Sequence, residues 1–185
     1  MKKIRCGWCE KDDLYRKYHD EEWGRPVYDD KTIFEFLVLE SFQAGLSWYT
    51  ILSKRGNFKK AFDDFNFEKI ALYHDEKIEE LMNDSGIIRN RLKIKATVTN
   101  AQKFQEVQKE FGSFSAYIWD FVGGKPLDNA PQALSDVPAT TEISDLLAKD
   151  LKKRGFKFMG STVVYAHMQA TGMVNDHLES CFIRK

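Results

Sequence analysis

The apolar positions of the chain recur with the period of a helix, and the alternation expected of strands is scarce. In DDKTIFEFLVLESFQAG, Asp29 or Asp30 offers an N-cap acceptor, an apolar run follows, and Gly45 supplies a stop. Residues 33–42 are apolar on nearly every side, which predicts a buried central helix rather than a surface one. SWYTILSK starts another helix at the capping Ser47. DEKIEELMNDSG places Ile78, Leu81 and Met82 on one face, and RLKIKATVTNAQKFQEVQKEF repeats Ile94, Val98 and Ala101 at i, i+4, i+7. EISDLLAKDLKKRGF and STVVYAHMQATG read as two more helices. KPLDNAPQALSDVPAT, residues 125–140, is the one long irregular stretch, either a loop or a break between two lobes. The expected fold is all-α.

Composition narrows this picture only a little. At 185 residues one domain is the default expectation. The 28 basic residues balance 28 acidic ones, so net charge selects neither nucleic acid nor membrane, and only local patches can. No stretch reaches the ~18 apolar residues of a membrane span. MKKIRCGWCE has lysines but no apolar core of a secretion signal. Three cysteines, an odd number, argue against a disulfide framework. A reduced, intracellular, cytoplasmic protein is expected.

Glu40 is the first candidate for chemistry. It follows Ile33 by seven positions, Phe36 by four and Leu37 by three, which puts its carboxylate on an apolar stripe. Burying a carboxylate costs several kcal/mol unless something compensates. Either a lysine or arginine pairs with it, or it is a functional acid in a pocket wall. Trp48, Tyr49 and Trp23 nearby suit a flat ligand, or simply a core.

NDSGIIRNRLKIK is the second candidate. One helix ends at Asp84–Gly86 and another restarts, and residues 86–103 carry Arg89, Arg91, Lys93, Lys95 and Lys103 with no acid. Backbone N–H groups at such a turn suit a phosphate, as in a helix-hairpin-helix element on DNA. An ordinary helical hairpin with a solvated basic face has the same sequence pattern. Lys149, Lys152, Lys153, Arg154 and Lys157 form a second basic cluster that extends this surface or meets a helix dipole.

Metal-type side chains gather at the two ends: Cys6, Cys9 and His19 at one, His177 and Cys181 at the other, with His74 and His167 apart. If helical, His177 and Cys181 share a face. Two cysteines with two histidines, or three with one, are ordinary zinc sets. Buried cysteines and unrelated histidines are the alternative. HDE, His19–Glu21, also resembles the H-x-E of zinc deaminases. Their P-C-x-x-C follows that motif, however, whereas here CGWC precedes it and Arg5 stands where proline would be.

Taken together, RCGW, YHDEEWG, LESFQAGLSW, SGIIRNRLKI, LKKRGFKFMG and MQATGMVNDH resemble the bacterial 3-methyladenine DNA glycosylase I family, in order over residues 5–181. The resemblance implies an all-α helix-hairpin-helix glycosylase fold, with residues 1–185 as one unit and the hairpin near 78–104. It implies hydrolysis of the N-glycosidic bond of 3-methyladenine in double-stranded alkylated DNA by a monomer. One structural zinc is implied at Cys6, His19, His177 and Cys181, with Cys9 outside the set. Glu40 matches the family's base-reading carboxylate and is the candidate catalytic residue; Tyr15, Tyr18, Trp23 and Trp48 match its pocket aromatics, with Trp8 as a further wall. Leu46, beside Gly45, matches the residue that fills the gap left by the flipped nucleotide. Ser85–Arg89 matches the hairpin, so Gly86, Ile87, Arg89 and Lys93 are expected at the DNA backbone. The superfamily's catalytic aspartate after the hairpin has no counterpart there; the next acids are Glu106 and Glu110.

Overall fold

In the computed structural model, which describes residues 3–184, the segment that is apolar on all sides lies at the centre. The α-helices are α1 (Asp13–Glu21), α2 (Asp30–Gln43), α3 (Trp48–Ala61), α4 (Phe67–Ile70), α5 (Asp75–Asn83), α6 (Arg91–Phe111), α7 (Phe114–Asp120), α8 (Glu142–Lys153) and α9 (Ser161–Ala170). Two short strands, β1 (Leu127–Asp128) and β2 (Val174–Asn175), pair in parallel. The fold is therefore mostly helical, as the periodicity predicts. None of the helices among the described residues is long and apolar enough to cross a membrane.

α2 is the axis of the core. Asp29 caps it, its carboxylate accepting from Thr32 N at 2.8 Å. Ile33, Phe34, Leu37, Val38, Leu39 and Phe42 are each no more than 1% exposed. Burying one such side chain contributes roughly 1.5–3 kcal/mol, so this helix is held by packing against α3, α6, α7 and α9 rather than by propensity. Asp30, at its first turn, also accepts hydrogen bonds from Phe114 N (2.9 Å), Ser115 N (2.7 Å) and Gln108 Nε2 (2.6 Å). One carboxylate thus faces the positive ends of both α2 and α7.

α1, α4 and α7 lie outside the helices that the periodicity predicts; α4 and α7, at four and seven residues, are too short to carry a repeat. The irregular stretch 125–140 contains β1 and a turn at Leu134–Asp136. It lies along the C-terminal segment: Leu127 N donates to Met173 O at 2.9 Å. That pairing brings Leu134 and Val137 to the cavity described next.

Candidate functional site

α1 builds one wall. Asp12 caps it by accepting from Tyr15 N at 2.9 Å, and the helical spacing places Tyr15 and Tyr18 on adjoining faces of one side. Trp8, on the turn Gly7–Cys9, meets Tyr15 edge-on with ring centroids 4.9 Å apart, and Trp23 at 5.0 Å. Trp48, on the first turn of α3, lies 5.4 Å from the ring of Tyr18. These five rings enclose a cavity of about 310 Å³. Glu40 and Gln43 of α2, Ala166 and Gln169 of α9, and Leu134, Val137 and Asp176 complete the lining. The volume suits one small planar ligand.

Glu40 is 3% exposed. Among the described residues no lysine or arginine pairs with it, and its Oε2 is buried without a hydrogen-bond partner. Burial alone pushes its carboxyl up to about 8. Of the two readings open from sequence, the buried ion pair is therefore excluded. Trp48 Nε1, likewise buried and unpartnered, lines the same cavity. Such groups await a partner that the protein itself does not provide.

The rim of the cavity is a turn between α2 and α3. Gly45 adopts φ 81°, and Leu46 projects with 40% of its surface exposed. A second recess of about 160 Å³ under this turn shares Glu40, Gln43 and Ala166 with the main cavity. Lys93 corrects the sequence expectation. It is only 6% exposed, and its Nζ donates to Phe42 O at 2.8 Å and Ala44 O at 2.6 Å. Its charge faces the carbonyl end of α2 and braces the Gly45–Leu46 turn, so it does not lie on the surface.

The hairpin connecting α5 to α6 spans residues 84–90. Gly86 N donates to Asp84 Oδ1 at 2.7 Å, and Lys54 Nζ donates to Gly86 O at 3.2 Å. A Cβ on Gly86 would lie 2.9 Å from Asp84 Oδ1, so the glycine permits this close turn. Ile87 is buried and anchors the turn, while Arg89 is exposed. Arg91 is engaged with Glu79, Lys95 with Asp75 and Lys103 with Glu106, and Lys93 is buried, so Arg89 is the exposed member of the basic run without an ion pair among the described residues. In the second basic cluster, Arg154 is bound to Glu110 and Asp150.

Cys6, His19, His177 and Cys181 converge, all buried, with ligand atoms within 4.8 Å of one another. Cys6 Sγ lies 3.6 Å from His177 Nδ1, and Cys181 Sγ lies 3.6 Å from His19 Nε2 and 3.7 Å from His177 Nδ1. Sulfur and nitrogen bound tetrahedrally to one zinc would be about 3.5 Å apart, from bond lengths of ~2.3 and ~2.0 Å. The donor set therefore fits a zinc. Asp20 accepts from His19 Nδ1 at 2.8 Å and Trp23 O accepts from His177 Nε2 at 3.0 Å, which turns the lone pair of each ring's other nitrogen towards the thiols. Arg5 fixes Asp20 through two bonds of 2.8 Å. Cys9 stays outside, donating to Cys6 O at 3.1 Å. His177 and Cys181 do not sit on a helix; a turn in which Cys181 N donates to Leu178 O at 2.8 Å brings them together. Gly24 (φ 74°) lets the His177 ring approach, since a Cβ there would lie 3.0 Å from it. A metal held by all four of these side chains would keep no position for a reactive water, and Glu21 is exposed, so the cluster lacks the geometry of a deaminase.

A family model described as methyladenine glycosylase matches residues 8–185. The chain belongs to the methyladenine glycosylase family. The chain is 46% identical over 177 residues to DNA-3-methyladenine glycosylase 1 of Escherichia coli (strain K12), covering 96% of this chain and 95% of that protein. It is also 46% identical to DNA-3-methyladenine glycosylase of Haemophilus influenzae, covering 96% of each. A solved structure of 3-methyladenine DNA glycosylase I from Staphylococcus aureus, concerned with 3-methyladenine recognition, superimposes with a TM-score of 0.94 at 40% identity, covering 98% of this chain and 96% of that one.

As a methyladenine glycosylase, the chain also brings to the cavity residues that sequence reasoning did not single out: Gln43, Leu134, Val137, Ala166, Gln169 and Asp176. Gln169 and Asp176 lie within MQATGMVNDH, a stretch whose resemblance carries no role for these two polar residues. Leu134 and Val137 sit in an irregular loop where no periodicity indicates a direction.

Proposed function

We propose that the chain is a DNA repair glycosylase that hydrolyses the N-glycosidic bond of 3-methyladenine in alkylated DNA, extruding the base and leaving an abasic site. The observation that carries this reading is the unpaired, buried carboxyl of Glu40 in a cavity walled by five aromatic rings. It is supported by the names of full-length relatives at 46% identity.

Extruding a nucleotide costs a few kcal/mol of unpairing and unstacking, less at a damaged base. Leu46, exposed on its turn, is suited to fill the vacated space. Stacking on Trp48 and the tyrosines returns roughly 1–3 kcal/mol, more for a cation over a ring face. In DNA, 3-methyladenine is cationic and adenine is neutral. Glu40, neutral when the cavity holds no charge, releases its proton when a cation arrives and accepts from the exocyclic amine. The uncompensated carboxyl thus selects by charge. Water adds its oxygen to the sugar carbon as the bond to the base breaks. The bonding electron pair leaves with the base, which departs neutral, and the water's proton goes to solvent. The positive charge developing on the sugar is favoured by Glu40 and by the DNA phosphates.

On DNA, we assign the hairpin's phosphate contact to the exposed Arg89, on the turn that Gly86 and Ile87 shape through their N–H bonds to Asp84, and the rim contacts to Gly45 and Leu46, with the protein acting as one unit and a monomer on a duplex. A zinc held by Cys6, His19, His177 and Cys181 would supply a cross-link between the chain's two end segments and no chemistry. Trp23 lines the cavity and packs edge-on against His177 at 4.7 Å, so this cross-link steadies the base pocket.

The test is incubation with methylated duplex DNA and chromatography of the soluble fraction. Free 3-methyladenine and alkali-labile sites are expected. No released base, or a deaminated base still attached to DNA, overturns the proposal.

A further inference from the structure

Gln43, Gln169 and Asp176 line the cavity without a part in the steps above, and of the two amides Gln169 is held by a side-chain contact. Gln169, near the C-terminal end of α9, lines the cavity. Its carbonyl accepts from Gly24 N at 3.0 Å, which pins the backbone. Its Nε2 donates to Asp176 Oδ2 at 2.8 Å. A carboxylate only accepts, so this contact decides which way the amide faces. Asp176 is itself 2% exposed and held by the Tyr165 hydroxyl and Asn129 Nδ2, each at 2.7 Å. Oε1 of Gln169 is therefore a fixed acceptor, and no donor among the described residues reaches it.

Gln169 Oε1 and Glu40 Oε2 are thus two acceptors of the cavity that no protein donor engages, and that of Gln169 is turned by a contact on its own amide. An exocyclic amine has two N–H groups. Adenine presents such an amine where guanine presents a carbonyl oxygen. A site built of fixed polar groups rejects an analogue that lacks the matching donor far better than an apolar pocket does.

We infer that Gln169 is a second base-reading residue, set by Asp176 as its positioning residue, which accepts the second amine N–H and disfavours alkylated purines with a carbonyl at that position. This rests on the glycosylase reading and on Glu40 as the first acceptor.

The test compares kcat/KM for release of 3-methyladenine and 3-methylguanine from methylated DNA. Binding of the two free bases, followed by quenching of the pocket tryptophans, runs alongside. Gln169→Met should lower 3-methyladenine release about tenfold and 3-methylguanine release less than twofold, compressing the ratio about tenfold. Asp176→Asn, which leaves Gln169 in place but frees its amide, should shift the ratio the same way and decides the matter if Gln169→Met folds poorly. The free-base affinities should follow the same ratio. A proportional fall for both bases, or no change for either, overturns the inference while leaving the glycosylase reading intact. If the wild-type protein releases neither base, both fall together.

Discussion

Glu40→Gln should make the protein more stable at neutral and higher pH while impairing its activity. Burial raises the Glu40 carboxyl from its ordinary 4.5 to about 8. Between those values the unfolded chain has lost the proton and the folded chain keeps it, so folded stability falls as pH rises. The span corresponds to roughly 4–5 kcal/mol as an upper bound. Water entering the cavity solvates part of the charge, so about 2–4 kcal/mol is expected by pH 8. Glutamine keeps the shape and carries no proton to lose. Urea unfolding of both proteins from pH 5 to 8.5 isolates this one group, because every other titration is common to the pair. The midpoints should lie close together at pH 5, with the variant higher by about 1 M at pH 8. Over the same series, 3-methyladenine release by the variant should fall by at least tenfold. Parallel stability curves would refute the uncompensated carboxyl, and full activity in the variant would remove Glu40 from base recognition.

Arg89→Ala should lower the slope of log affinity for DNA against log salt by about one, whereas Lys93→Met should leave that slope unchanged and cost about 1–3 kcal/mol of stability by exposing the α2 carbonyls; a filter-binding salt series and urea melts separate the two. Leu46→Gly should slow release from duplex DNA several-fold while binding free 3-methyladenine like the wild type, because the side chain is not part of the lining of the main cavity. Cys181→Ser should lower the melting temperature by about 10 °C in calorimetry, with the excision rate per folded molecule reduced less than stability.

Much of this architecture was legible from periodicity because its central helix is apolar on every side and its caps are short polar residues with one local task. Ser47 and Asp29 cap where their chemistry says they should. Glu40 was legible as an anomaly, a carboxylate on an apolar stripe, though only three dimensions show that nothing neutralises it. Lys93 was misread because a lysine in a basic run looks solvated; its burial depends on carbonyls 51 and 49 positions earlier in the chain, which no local pattern reveals. The same holds for Gln169, whose meaning comes from Asp176, and for Leu134 and Val137, which a two-residue strand pairing carries to the cavity. His177 and Cys181 met for a different reason than helical spacing, since a turn serves as well.

The cluster of Cys6, His19, His177 and Cys181 also sets an order in time. The rings of Trp8, Tyr15, Tyr18 and Trp23 are among the first parts of the chain to leave the ribosome, yet two of the four members of the cluster beside them arrive more than 150 residues later. Until Cys181 has been synthesised, a nascent chain lacks the complete cluster against which Trp8 and Trp23 pack through His19 and His177. A fragment that stops short of that point would carry the rings without the two residues that complete the cluster.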